Sequence, residues 1–198
     1  HTTPLVTPER IVQAFARRDA HHVMPPADCL TAAVCVVVGG PDYAPALCFI
    51  RRNERPDDPW SGHMAFPGGR VTPTDESTRD AGERETAEEV GLDLTLFRYL
   101  GSLPEMPITR RGRPQTGWLQ PFVYLCSPDL PSLRPQPSEI AAATWIPVTH
   151  LTAPGNLTSV RIAEDNRRLV FPGIAYGNDV IWGLTFRVLG SLLELARS

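Results

Sequence analysis

Apolar residues stand along this chain in short blocks, separated by polar, glycine- and proline-rich stretches, and the blocks differ in period. Cys29 to Val38 is an almost unbroken apolar, β-branched run closed by Gly39, Gly40 and Pro41, and Ala46 to Ile50 is a second. Runs of that length between turn residues predict strands, here a strand pair. Leu96 to Leu103, Trp118 to Cys126 and Ala142 to Val148 predict further strands, and the prolines gather in the connections between them. Elsewhere the spacing becomes helical. Ile11, Val12, Ala14 and Phe15 follow the start signal Thr7, Pro8 and Glu9, predicting a helix that ends near Arg18 and a connector over 19–26. Val180, Ile181, Leu184, Val188, Leu192 and Leu195 predict an amphipathic helix over 179–196. Packing against the sheet is its expected role, with a homodimer contact as the alternative. A third helix, polar along its length, is predicted over 77–90 with Gly91 as its C-cap, whereas the charged stretch from Arg51 to Trp60 reads as a loop. No repeat or long polar linker interrupts the pattern. The expected organisation is a helix and connector over 1–26 followed by one domain over 27–198.

Composition narrows the chemistry. The chain has 198 residues, 42% of them hydrophobic and 21% charged, as expected of a globular domain. All 19 basic residues are arginine, which excludes lysine Schiff-base catalysis and the lysine-containing P-loop. With 22 acidic residues the formal charge is −3, without the basic excess that counterion release on nucleic acid requires, so no nucleic-acid partner is expected. A small polyanion held by local arginines fits better. Cys29, Cys35, Cys48 and Cys126 form no C-x-x-C pair and read as buried free thiols. No apolar run approaches the roughly 20 residues of a membrane span, and the amino end carries no signal-peptide pattern, so a cytoplasmic location without a membrane partner is expected.

The chemistry concentrates in the polar helix. Glu85, Glu88 and Glu89 share one side of it, and Thr86, Ala87 and Val90 fall on the opposite side, which is expected to face the core. Like charges one turn apart repel, and a divalent cation among them relieves the conflict. Carboxylate oxygens suit Mg²⁺ or Mn²⁺, and Mg²⁺ typically binds a few carboxylates together with substrate phosphates. A solvated acidic face is the alternative. The flanks favour the cation: Gly68 and Gly69 permit close backbone approach, and Arg84 can grip a neighbouring carboxylate bidentately.

These residues resemble the box of the Nudix hydrolases, G-x5-E-x7-R-E-U-x-E-E-x-G-U, where U is aliphatic. Arg84, Glu85, Glu88, Glu89, Gly91 and Leu92 match it directly, and Thr86 takes the place of an aliphatic residue. The front half holds one extra residue. Glu76 keeps the spacing to Arg84 and Asp75 keeps the spacing from Gly69, so both are candidates for the first box glutamate; Asp75 is favoured because one branch of the family has this longer form. The resemblance implies an α/β Nudix fold, an α/β/α sandwich with a mixed sheet. It implies hydrolysis of a nucleoside diphosphate linked to another moiety, with Mg²⁺ or Mn²⁺ held by Glu85, Glu88, Glu89 and the Gly69 carbonyl. Arg84 would orient Glu85 and complete the catalytic set of Arg84, Glu85, Glu88 and Glu89. For the base that accepts the proton of the attacking water, Glu88, Glu105 and Glu139 all stay open.

Phe66-Pro67-Gly68-Gly69 at the longer box, Pro-Ser-Glu-Ile and Trp-Ile-Pro near 137–147, and Ile181-Trp182-Gly183-Leu184-Thr185 are similar to the coenzyme A pyrophosphatase branch. That branch carries two arginines upstream of Gly62, where this chain has Asn53 and Asp58. A shifted loop would let Arg51, Arg52 or Arg55 serve instead. Together with Arg70, Arg110, Arg111 and Arg113 they are the candidates for gripping substrate phosphate. Trp60, Phe66 and Trp118 are candidates for stacking on a base. Coenzyme A or a derivative is the expected substrate. The alternatives are ADP-ribose, a nucleotide sugar, or a sensor that binds a nucleotide without cleaving it.

Overall fold

The computed structural model describes residues 6–18, 29–57, 62–109 and 117–198. In chain order its first elements are α1 (Pro8–Ala16), β1 (Leu30–Gly39), β2 (Ala46–Arg52), β3 (Met64–Ala65), β4 (Gly68–Arg70), α2 (Thr78–Val90), β5 (Arg98–Ser102) and β6 (Met106–Ile108). There follow β7 (Gly117–Leu125), β8 (Ile140–Pro147), α3 (Val148–Thr152), β9 (Leu157–Glu164), β10 (Arg167–Tyr176), β11 (Asp179–Trp182) and α4 (Gly183–Arg197).

β1 is apolar throughout because both of its faces are covered. Ala33, Cys35 and Val37 pack with Ala81 and Val90 of α2 on one side. Val36 and Val38 pack with Ile11 of α1 and with Val188, Leu189 and Leu192 of α4 on the other. β1 runs parallel to β7, from Leu30 opposite Gly117 to Val38 opposite Leu125, and the remaining pairs of this sheet are antiparallel. This is the mixed sheet with flanking helices that the resemblance implies, and α4 takes the packing role expected of it. Cys35, Cys48 and Cys126 are buried free thiols, as expected, while Cys29 is half-buried. No helix among the described residues is long and apolar enough to cross a membrane.

Two features of the sheet create the site. The edge of β1 away from β7 is shared, since Val38 and Gly39 pair with β2 whereas Ala32, Ala33 and Val34 pair with β4. Between these pairings the chain from Phe66 to Gly69 runs along β1, fixed by the Cys35 amide donating to the Pro67 carbonyl at 2.8 Å. A cleft opens where the sheet divides.

The second feature is α2. Ser77 caps it by accepting from the Asp80 amide, and Gly91 ends it in the left-handed region at φ 74°, donating to the Ala87 carbonyl. It approaches β1 closely at Gly82, where a β-carbon would lie 2.9 Å from Cys35 Sγ. That contact turns the helix so that Ala81, Gly82, Thr86, Glu89 and Val90 are buried. The expected core face is thus corrected at two positions: Ala87 is exposed, and Glu89 lies inside. After α2 the proline-rich stretch from Pro131 to Glu139 wraps the helix end, with the Arg134 amide donating to the Val90 carbonyl and the Gln136 amide to the Glu89 carbonyl. These bonds satisfy carbonyls that have no partner within the helix.

Residues 157–182 hold a three-stranded antiparallel sheet, ordered β11-β10-β9, that the sequence reading did not anticipate. β9 and β10 are joined at Asp165 and Asn166, both at positive φ. The helix expected from Asp179 begins only at Gly183, because Asp179–Trp182 pairs with β10 and Gly183, at φ 65°, turns the chain. Arg51 and Arg52, expected in a loop, continue β2 and pair with β8. The connector over 19–26 lies outside the described residues.

Candidate active site

The glycine pair and α2 meet edge to face. The Gly68 amide donates to Glu89 Oε1 at 2.7 Å. At Gly69 a β-carbon would lie 2.6 Å from Glu85 Cδ, so only a glycine leaves the Glu85 carboxylate where it is. Glu89 is 3% exposed. Burial pushes its carboxyl up to about 8, against the lowering effect of the Gly68 amide, and the Glu85 charge adds to the rise. Burial also raises Glu85, opposed by Arg84.

Arg84 organises the outer half of the site. Its Nε donates to Asp75 Oδ1 at 2.8 Å and its Nη2 to Asp75 Oδ2 at 3.0 Å, a bidentate fork. Its Nη1 donates to Glu85 Oε1 at 3.1 Å and reaches Glu88 at 3.4 Å. Asp75 is 4% exposed at its side chain and also accepts from the Thr72 amide at 2.8 Å and the Thr72 hydroxyl at 3.0 Å. Glu76 is exposed. Of the two candidates that the extra residue leaves open in the sequence, Asp75 is the one that Arg84 grips.

Arg84, and then the Thr72 amide, hold the Asp75 carboxyl far below its ordinary value of 3.8. A depressed folded value gives stability that is present above the ordinary value and lost as the pH falls through the folded one. Asp75→Asn is therefore expected to melt at a lower temperature than wild type, by a margin that is constant above about pH 4 and narrows in more acid solution. Thermal melts across pH measure that margin, and one that widens toward acid would contradict the pairing.

The residues fit a divalent cation. Positive charge would stabilise a buried carboxylate beside a second one, and the bare Gly69 backbone lets the Glu85 carboxylate lie close against it. Three acidic, histidine or cysteine side chains do not converge on one point among the described residues. Glu88 is turned outward, 58% exposed at its side chain and held by Arg84, so the inner pair is Glu85 and Glu89. These two would hold Mg²⁺ or Mn²⁺ together with the Gly69 carbonyl.

The cleft beside this pair has a volume of about 680 Å³. Arg52, Arg55 and Arg70 of the expected phosphate-gripping arginines line it. The charge of Arg52 also acts on Glu89. Arg51 faces Asp179 across 3.6 Å. Arg110, Arg111, Arg113 and Trp60 lie outside the described residues. Of the open base candidates, Glu139 lines the cleft and its charge bears on both Glu85 and Glu89. Glu105 instead accepts from Gln120 at 3.5 Å. The stacking role expected of Phe66 is corrected: it is 2% exposed and lies against Phe49, with ring centroids 4.6 Å apart. His63 and Trp182 line the cleft without having been singled out as site residues.

The Glu85 and Glu89 pair of α2 is thus set against the glycine strand β4 in a divided mixed sheet, as the resemblance to the Nudix hydrolases implies. The match to the NUDIX domain family model over residues 30–165 agrees, and the chain belongs to that family. It is 29% identical over 167 residues to the human mitochondrial coenzyme A diphosphatase NUDT8, covering 83% of this chain and 69% of that protein. It is 41% identical over 121 residues to the uncharacterized protein C14C4.10c of Schizosaccharomyces pombe, covering 60% of this chain but only 36% of that protein. The crystal structure of a MutT/nudix family protein from Enterococcus faecalis superposes with a TM-score of 0.53 at 17% identity, covering 96% of this chain and 74% of that one, a likeness of fold. The family match and the hydrolases among the relatives support a diphosphate hydrolase.

Proposed function

We propose that the protein cleaves the diphosphate linkage of coenzyme A or a derivative with the help of Mg²⁺ or Mn²⁺. The observation that carries the reaction is the Glu85 and Glu89 pair, one ordered by the Asp75–Arg84 fork and the other buried against Gly68. The bound ion would neutralise diphosphate charge and lower the pKa of a water. Arg52, Arg55 and Arg70 bind the remaining phosphate oxygens, and Arg84 keeps Glu85 in place. Glu139 accepts the proton of the attacking water.

The likeness to the coenzyme A diphosphatase NUDT8 supports the substrate. The loop after β2 departs from the branch signature. Asn53, at a position where the branch signature has arginine, is tied by its amide to the Glu139 carbonyl at 2.9 Å and by its Nδ2 to the Pro137 carbonyl at 2.9 Å. Arg55 donates to the Ser138 carbonyl while lining the cleft, so Arg52 and Arg55 supply the guanidinium groups from neighbouring positions. In a metal-supplemented panel, coenzyme A is expected to yield 3′,5′-ADP and 4′-phosphopantetheine. Turnover of ADP-ribose or nucleotide sugars with none of coenzyme A would overturn the substrate while leaving the reaction class intact.

A further inference from the structure

The cleft is chemically unequal along its length. At one end lie the aliphatic side chains of Leu30, Ile108 and Leu119, around the beginnings of β1 and β7. At the other, where β3 approaches β11, stand His63 and Trp182. Their ring centroids are 5.3 Å apart at 62°, an edge-to-face pair. Trp182 is backed by Phe171 of β10, with centroids 5.7 Å apart at 44°. Both His63 and Trp182 are only half-buried, so each keeps ring surface toward the cleft. Trp182 is held from three sides: it pairs with Gly173 in the small sheet, it precedes α4 directly, and its strand begins at Asp179, which Arg51 of β2 faces across 3.6 Å.

From this geometry we infer that His63 and Trp182 form the platform on which the substrate's nucleobase lies. The proposal rests on the reading of the cleft as a nucleoside diphosphate site and specifies which end takes which half of the substrate. A base is flat, aromatic and sequence-neutral in its stacking, and a half-buried indole braced by a second ring is a surface that such a group binds. A flexible, non-aromatic arm gains nothing special from a T-shaped ring pair but does gain from aliphatic walls, which the opposite end supplies. The chain from His63 to Arg70 connects the two: it leaves the platform, passes Phe66 and reaches Gly68 and Gly69 beside the glutamates. A substrate laid along it has its base at β11, its diphosphate at the glycines and its second moiety toward Leu30. Trp182 and His63 are then specificity residues. Arg51, expected to grip phosphate, is a positioning residue that sets β11 against β2.

Binding of AMP and of 4′-phosphopantetheine, measured separately by calorimetry in EDTA, tests the assignment without relying on turnover. Trp182→Leu is expected to weaken AMP by roughly 10-fold and to leave 4′-phosphopantetheine unchanged, with Trp182→Phe recovering most of the loss. His63→Ala, which leaves β11 and α4 untouched, is expected to shift AMP in the same direction and serves if the Trp182 variant does not fold. In steady state the same variants raise KM for the nucleoside diphosphate substrate more than they lower kcat. Unchanged AMP affinity in both variants, a loss confined to 4′-phosphopantetheine, or wild-type protein that does not bind AMP would each overturn the platform. Absence of coenzyme A cleavage alone refutes the substrate proposed above, not the platform, because the AMP measurement stands apart from it.

Discussion

In Glu89→Gln, turnover at saturating metal is expected to fall roughly 1,000-fold, equivalent to about 4 kcal/mol of transition-state stabilisation, while the circular dichroism spectrum stays that of wild type. The fold survives because the glutamine carbonyl can still accept the Gly68 amide that now reaches Glu89 at 2.7 Å. The loss is large because the substitution removes the carboxylate that would face the bound ion from the buried half of the site. The same variant has a signature in stability that does not depend on activity. Burial raises Glu89 from an ordinary 4.5 to about 8, so the folded protein holds this proton more tightly than the unfolded chain does. Stability from that group is complete below pH 4.5 and drains away as the pH rises toward 8. Metal-free wild type should therefore show a fall in Tm over this window that Glu89→Gln lacks. Equal slopes for the two proteins would contradict the burial, and unchanged turnover would remove Glu89 from the site.

The adjacent glycines are expected to fail in different ways. A β-carbon on Gly68 would lie 2.1 Å from the Ala33 carbonyl oxygen and 2.7 Å from Val34 Cα, both backbone atoms of the central strand. Gly68→Ala must displace β1 or β4 and is expected to cost about 3 kcal/mol or more of stability, visible in denaturant melts. A β-carbon on Gly69 meets the far end of the Glu85 side chain, at 2.6 Å from Cδ. That side chain can swing aside, so Gly69→Ala should melt close to wild type and lose activity roughly 100-fold, the scale of an ångström's misplacement at a reacting centre. An alanine at Gly69 that leaves kcat intact would mean that the position of Glu85 is unimportant. An alanine at Gly68 that leaves stability intact would mean that the contact with β1 can relax.

The strands and helices around the site were legible because their signals are local. β1 and β2 are marked by apolar runs between turn residues, and α2 by Ser77 and Gly91 at its ends. The box residues could be read from their match to the family's spacing. What spacing could not supply was the rotation of α2. A helical wheel sets Glu89 with the exposed carboxylates, whereas the packing of α2 on the sheet, with Gly82 against Cys35 far away in sequence, leaves it buried. The placement of Asp75, not Glu76, against Arg84 is of the same kind, since it depends on the turn that lets Thr72 donate to Asp75. The sheet of β9, β10 and β11 is a different case. Val160 and Ile162 alternate with Ser159, Arg161 and Ala163 ahead of the Asp165–Asn166 turn, but Leu169, Val170 and Phe171 run on without a break after it, so only half of the hairpin signal was present. Val180 and Ile181 look helical only if Gly183 is read as an interior residue, not as the turn that separates a strand from a helix.

The wrapping of the α2 terminus by the proline-rich stretch has a consequence for how such a chain can change over evolutionary time. The Gln136 amide is bonded to the backbone carbonyl of Glu89, and three residues later Glu139 stands in the cleft. The distance between a box residue and the opposite wall is thus set by the number of residues between two hydrogen bonds, not by their identity. Side chains in this stretch, which are mostly exposed, are free to drift, whereas an insertion or deletion of a single residue would move Glu139 out of phase with the glutamates it faces.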